Sequence, residues 1–303
     1  MQRTEAVGTK KKKHISAGQV ILNIIFIILA AAIVFPFILL VIISISNEKD
    51  IIRYGYSIIP KNIDFAAYQY VFKNPTSVIN AYKVTIIVSV VYMVFSTFLM
   101  ALVAYPLSRR TFKGKMFVSF YLYFTMLFGG GLVPSYILIT QYYHLGDSLW
   151  VYILPHLISP WYVFMMRSFF QEVPHEMIES AYIDGAGEYR IFAQIIVPLS
   201  KPVIATVALF QFLGKWNDWN TALLYINDET KISLQYLLQR ILQNMQAMQQ
   251  MESNLTSFVN ATEIPSETAR MAMAVVVAGP ALVVFPFFQK YFVKGLTVGG
   301  VKG

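Results

Sequence analysis

The sequence predicts an all-α polytopic membrane protein with six transmembrane helices, and three observations carry the prediction. Of the 303 residues, 56% are hydrophobic and only 13% charged, whereas a water-soluble domain carries roughly 25% charged residues. The apolar residues are gathered into long runs without charge, the pattern of a chain whose solvent is lipid. Lys and Arg lie between the runs and fall mostly on alternate sides of them. The net charge of +8 is therefore not spread along one amphipathic face, and it points to a membrane and away from nucleic acid.

The runs are counted in order. Residues 18–47, 84–108 and 116–143 each give 25 or more positions without charge, and 148–166 and 271–289 give 19 each. The segment 203–227 is interrupted only by Lys215 and Asp218. A spanning helix needs about 20 mostly apolar residues. Runs this long and continuous suit helices, which satisfy their own backbone hydrogen bonds in lipid, better than barrel strands. Gly129, Gly130, Gly131 and Pro134 within the third run predict a kink or unwinding near its outer end.

Orientation follows from the positive residues. With the tail 1–17 in the cytoplasm, fifteen Lys and Arg face inside and eight outside, and both termini are cytoplasmic. The first run is too long for the apolar part of a signal peptide and no small-residue cleavage site follows it, so it is expected to stay as a helix. The transmembrane domain then covers 18–303.

Three connections are long. The external segment 48–82 carries Pro60, Asp64 and several aromatics and is expected to form a cap of short helices. The external insert 228–268 holds Leu234, Leu237, Leu238, Ile241, Leu242 and Met245 at spacings of three and four, an amphipathic helix. It either packs on its own protein or offers a docking surface. The third, cytoplasmic, connection runs over 170–202. Pro174 suits a helix start. His175–Ile183 is expected to be helical, with Ile178, Ala181 and Tyr182 near one face. Asp184-Gly185 is a turn signal, and 188–196 forms a second helix with Ile191, Phe192 and Ile195 on one side. Pro198 and Pro202 end it and start the next span. Apolar knobs in a cytoplasmic loop are expected to be buried against something.

Within 172–202, Glu179, Ser180, Ala181, Asp184, Gly185, Ala186, Phe192, Pro198, Leu199 and Pro202 stand in the register of a known motif. The stretch resembles the EAA loop of permeases of binding-protein-dependent ABC importers, whose pattern is Glu-Ala-Ala, two residues, Asp-Gly-Ala, five residues, Phe, then Pro-Leu and a further Pro. Ser180 replaces the first Ala, small for small. The resemblance implies a type I importer permease fold, with this loop as a coupling lever seated in a groove of an ATPase subunit. It also implies the partners: a second permease, a pair of ABC ATPases and an extracytoplasmic sugar-binding protein, in a bacterial cell membrane. ATP and Mg would sit on the ATPases, and no cofactor on this chain.

A narrower resemblance lies in 216–220 (Trp-Asn-Asp-Trp-Asn) and in 294–303, which includes Lys294, Gly295, Gly299 and Gly300. Both are similar to the maltose-type carbohydrate branch, in which the tail reaches toward the ATPase pair. The long insert 228–268 is more like the oligosaccharide and lipoprotein-type permeases of Gram-positive bacteria, so an oligosaccharide cargo is expected.

Gln211, Lys215, Asn217 and Asp218 are polar groups in the fifth segment. Such groups face protein or a water-filled path, not lipid. Positions 211, 215 and 218 share a face. Two readings stand side by side: a face lining the translocation path, with Trp216 and Trp219 for sugar stacking, or a structural Lys215–Asp218 pair at a helix contact.

Other chemistry finds no support. There is no cysteine, so disulfides, thiolate metal sites and Cys nucleophiles are excluded. The four histidines, 14, 144, 156 and 175, are scattered without metal-ligand spacing. No phosphate loop of the Gly-x-x-x-x-Gly-Lys-Ser/Thr type occurs, so the chain is expected not to be an enzyme. A secondary transporter would show inverted repeats with paired broken helices, and none is evident.

Overall fold

In the computed structural model, the described residues are 17–254 and 266–299. Among them all regular structure is helical, apart from a single bridge between Ser46 and Ile63. Three helices are long and apolar enough to cross a membrane unaided, α1 (Ala17–Ser44), α4 (Pro75–Ser108) and α14 (Ser266–Gly299). Three bent pairs bring the total to six if each pair is one span.

Each break has a local cause. The third run is α5 (Lys115–Leu127) and α6 (Leu132–Ile137), bent by 114°. The hinge is the glycine triplet, where Gly131 takes φ +83°, a region open to glycine at little cost. A π turn over Leu138–Tyr142 extends α6. The fourth run does not form one helix. It is a 3₁₀ stretch over 149–156 and then α7 (Pro160–Gln171), bent by 53°. Pro155 and Pro160 each occupy a first-turn position, where a missing N–H costs nothing but the preceding helix cannot run through. The third pair is 188–199 with α11 (Lys201–Trp216), bent by 81°; α11 stops earlier than its apolar text, and α12 (Asn220–Tyr225) restarts after Asp218.

Helix α4 is the central post. At 34 residues it is about 50 Å long, and it joins two cores. Near its start Val78, Ala81, Val84 and Val88 pack with Tyr152, Phe212 and Trp216. Near its end Met100, Ala104 and Leu107 pack with Val163, Met166, Val203 and Val207. Polar tethers fix the post to the broken fourth span: the Tyr92 hydroxyl donates to the carbonyl of His156 (2.6 Å) and Ser96 to that of Leu157 (2.8 Å). They satisfy carbonyls that the proline break leaves without helical donors.

The cap end contains the expected short helices, α2 (Glu48–Tyr54) and α3 (Ala66–Val71), and the insert helix α13 (Leu234–Asn254). Leu234, Leu237 and Met245 are buried against α3, α4 and α14, so this part of α13 packs on its own protein. The outer faces of α1 and α5 expose Phe26, Ile27, Phe117 and Phe120 among many large apolar residues. So large an apolar surface requires lipid or a partner subunit.

Candidate functional site

The segment 172–202 lies against the far end of α4. Pro174, extended at ψ 132°, leads into α8 (His175–Ile183). Glu176 stands in the first turn, where the helix dipole favours an acid. The helix ends in a Schellman motif: the Gly185 amide donates to the Tyr182 carbonyl and the Ala186 amide to the Ala181 carbonyl, both at 2.9 Å. Gly185 takes φ +76°, and a Cβ there would meet nothing within 4 Å. Within the chain, backbone angle alone accounts for this glycine. After Gly187 the chain forms α9 (Glu188–Ile191), a π turn over Phe192–Ile196 and α10 (Val197–Leu199), and meets α11 at 81°. The two short helices and the glycine corner between them are as the sequence predicts.

The apolar knobs sort differently from expectation. Ile178, Ile191, Phe192 and Ile196 turn inward and join the core around Met100 and Leu107, and the Phe192 ring lies 5.2 Å from that of Tyr105. Phe192, expected among the coupling residues, is thus an anchor in the chain's own core. Ala181 and Ala186 are half-buried on the same side. The residues that project are Ile183 and Tyr189, 87% and 88% exposed, at either side of the Gly185 corner. Glu179, Ser180, Asp184 and Pro198 are exposed and Pro202 is half-buried. Glu179 pairs with His175, Oε1 to Nδ1 at 3.0 Å.

A residue the motif does not mark holds this segment in place. Glu188 accepts hydrogen bonds from the hydroxyls of Tyr105 on α4 and Tyr182 on α8. Arg109, just past α4, places Nε 3.8 Å from the same carboxylate and donates from Nη2 to the Tyr182 hydroxyl at 3.1 Å. Partial burial, and then the bond to Glu188, raise the pKa of Tyr182, so it stays a donor. In the sequence, Glu188 looks like a solvated residue in a first turn; its tyrosine partners are 83 and 6 residues away.

In the fifth span, Gln211 and Lys215 are buried against α4. Gln211 Nε2 donates to Ser96 Oγ at 2.7 Å, and Lys215 Nζ lies 4.9 Å from the Tyr92 ring centroid. Lys215 donates to Asp218 Oδ2 at 2.7 Å, and the same carboxylate accepts from the amide and hydroxyl of Thr221. Gln211 is thus tied to α4 through Ser96, and Lys215 and Asp218 form a separate, partly buried pair closed by Thr221. Asn217 is exposed, accepts from Gln235 Nε2 at 3.0 Å, and lines a groove of about 410 Å³ with Trp216, Gln235, Leu282 and Phe285. Of the C-terminal residues, α14 runs through Lys294, Gly295 and Gly299, while Gly300 and the tail 1–16 lie outside the described residues. Among the described residues there is no cluster of potential metal ligands.

The geometry is a helical bundle with an elbow between its fourth and fifth spans, from which Ile183 and Tyr189 project. Residues 15–298 match the model of the family described as the binding-protein-dependent transport system inner membrane component. The chain belongs to this family. Like other inner-membrane components of such systems, it is a multi-pass protein of the cell membrane. Protein LplC of Bacillus subtilis (strain 168) is 39% identical over 292 residues, 95% of this chain and 96% of that one. The polygalacturonan/rhamnogalacturonan transport system permease protein YtcP of the same organism is 37% identical over 270 residues, 89% and 93% of the two chains. A crystal structure of a bacterial ABC transporter involved in the import of the acidic polysaccharide alginate matches 93% of this chain and 100% of its own, with TM-score 0.75 and 26% identity.

Proposed function

We propose that the chain is a transmembrane permease subunit of an ATP-driven importer for oligosaccharides. It forms the translocation path with a second permease and takes its cargo from an extracytoplasmic sugar-binding protein. The chain couples to a pair of separate ATPase subunits through 172–202, which faces the cytoplasm. The observation that carries this reading is the elbow: two short helices locked at Gly185, tied to the central post through Glu188, with Ile183 and Tyr189 projecting beside the corner. Two exposed apolar side chains on a stiff, anchored turn suit a groove on a partner. The names of YtcP and of the alginate importer support a saccharide cargo.

The groove at Asn217 and Gln235 supports a place for sugar on this subunit, since amides offer both donors and acceptors to hydroxyls and Phe285 lies alongside. Gln211, Lys215 and Asp218 act there indirectly, by fixing α11 against α4. Lys294, Gly295, Gly299 and Gly300 extend toward the ATPase pair in this reading, and ATP and Mg are bound by the partner alone.

The absence of native cysteine gives a direct test. Ile183→Cys or Tyr189→Cys in the assembled complex is expected to cross-link to the ATPase subunit, with a yield that changes when ATP is trapped. Labelling of either cysteine by an impermeant reagent from outside intact cells, or no cross-link to any nucleotide-hydrolysing subunit, overturns the proposal.

A further inference from the structure

We propose that the cleft between α5 and α7, at the elbow end of the bundle, binds an acidic phospholipid. The cleft measures about 640 Å³ and is lined by Lys113, Lys115, Ser119, Phe120, Tyr123 and Arg167 among others, with no carboxylate in its wall. Arg167 Nη1 donates to Ser119 Oγ at 3.3 Å, holding the guanidinium against α5. Among the described residues, none of the three cations forms an ion pair. Three like charges gathered without a counter-charge repel one another, and an anion between them relieves that repulsion.

The position chooses the anion. Lys115 opens the third span and Arg167 stands in the last turn but one of α7, so the cations sit where the spans leave the membrane, at headgroup depth. Phe120 and Tyr123 follow along α5, five and eight residues on, roughly 8 and 12 Å deeper. Both rings are mostly exposed. An acidic phospholipid satisfies both parts, its phosphate among the cations and its acyl chains along the rings. Free phosphate or a nucleotide leaves the rings uncovered, and an acidic segment of a soluble subunit does not reach that depth. Basic pockets between helices at this level are suited to acidic headgroups.

The test uses the full-length chain purified with its partner subunits. Native mass spectrometry follows retention of added dioleoylphosphatidylglycerol against dioleoylphosphatidylcholine, which has the same chains and no net charge. Wild type is expected to retain the acidic lipid about tenfold better. The Lys113→Gln/Lys115→Gln/Arg167→Gln variant loses one acidic-lipid adduct, and Lys113→Arg/Lys115→Arg keeps it. Equal retention of the two lipids by wild type overturns the proposal without any variant. Complete displacement of the lipid by millimolar inorganic phosphate makes the cleft a free-anion site. A glutamine variant that sheds the second permease or the ATPase while its lipid adducts stay unchanged makes it a protein interface. Either result refutes the assignment.

Discussion

Tyr105, near the end of the central helix α4, donates its hydroxyl hydrogen to the carboxylate of Glu188 at the start of α9. Tyr182 donates to the other oxygen of that carboxylate. One side chain thus joins the post to both arms of the elbow, and in the proposed function a push on the elbow is expected to pass through it to α4. Hydrogen bonds to a charged acceptor are worth about 2 kcal/mol each, less here because the carboxylate is half exposed. Glu188→Ala is expected to insert and assemble normally, yet to move less sugar per ATP hydrolysed. The check is uptake and ATPase activity measured together in proteoliposomes; an unchanged ratio removes Glu188 from the coupling path.

Gly185 makes a separate prediction, because its φ of +76° is strained for any L side chain although space is open. Gly185→Ala is expected to cost about 1 kcal/mol and Gly185→Asn less, since Asn enters that region more readily. Thermal melting of the purified subunit reads both. Gly185→Trp is expected to abolish ATPase docking or coupled uptake while leaving membrane insertion intact. Wild-type uptake by that variant would count against the coupling role of the corner.

These two positions also show how far the sequence speaks for itself. The six runs are legible because the exclusion of charge is a property of stretches, and the Gly185 corner because Asp-Gly is a local signal. The inward turn of Phe192 is not legible. It depends on how the π turn over Phe192–Ile196 seats against Tyr105, and no spacing rule contains that. Glu188 is hidden for the same reason, since its partner Tyr105 lies within an apolar run. The break in the fourth span is marked by Pro155 and Pro160, but within a charge-free run their effect is masked by composition.

At the cap end, Glu48 closes the first turn of α14 from 220 residues away. Its carboxylate accepts from the amides of Glu267 and Thr268, each at 2.9 Å, and from the Thr268 hydroxyl at 2.7 Å. These amides are among the donors a helix start leaves unpaired. Glu48→Ala is expected to destabilise the subunit by about 2 kcal/mol and Glu48→Gln by less. Thermal unfolding in detergent measures both; equal melting of Glu48→Ala and wild type refutes the clasp.

Lys215 and Asn217, two residues apart, are expected to fail at different steps. Lys215→Ala strands the Asp218 carboxylate in a largely buried site, at a cost of about 3 kcal/mol, and lowers the amount of assembled complex. Lys215→Met with Asp218→Leu removes both charges and recovers much of that loss. Asn217→Ala touches no buried partner and is expected to leave assembly intact while slowing uptake. If Asn217→Ala transports normally in a folded, assembled complex, the groove at Asn217 is not part of the sugar path.

The turn after α12 carries a pH dependence whose sign follows from Asp228. Its carboxylate accepts from the hydroxyl and amide of Thr230 and pairs with Lys231 at 3.0 Å. Those hydrogen bonds to Thr230, and then the one from Lys231, lower its pKa from the ordinary 3.8 to about 2. A depressed carboxylate stabilises the fold above its unfolded pKa, and the contribution fades as the pH falls toward the folded value. The turn is therefore expected to be indifferent to pH above about 5 and to loosen between roughly pH 4 and 2. Asp228→Asn should abolish that dependence, because the amide does not titrate. Limited proteolysis of the insert across this range, by an acid-active protease, distinguishes the two; identical acid profiles for wild type and Asp228→Asn would assign the loosening to another group.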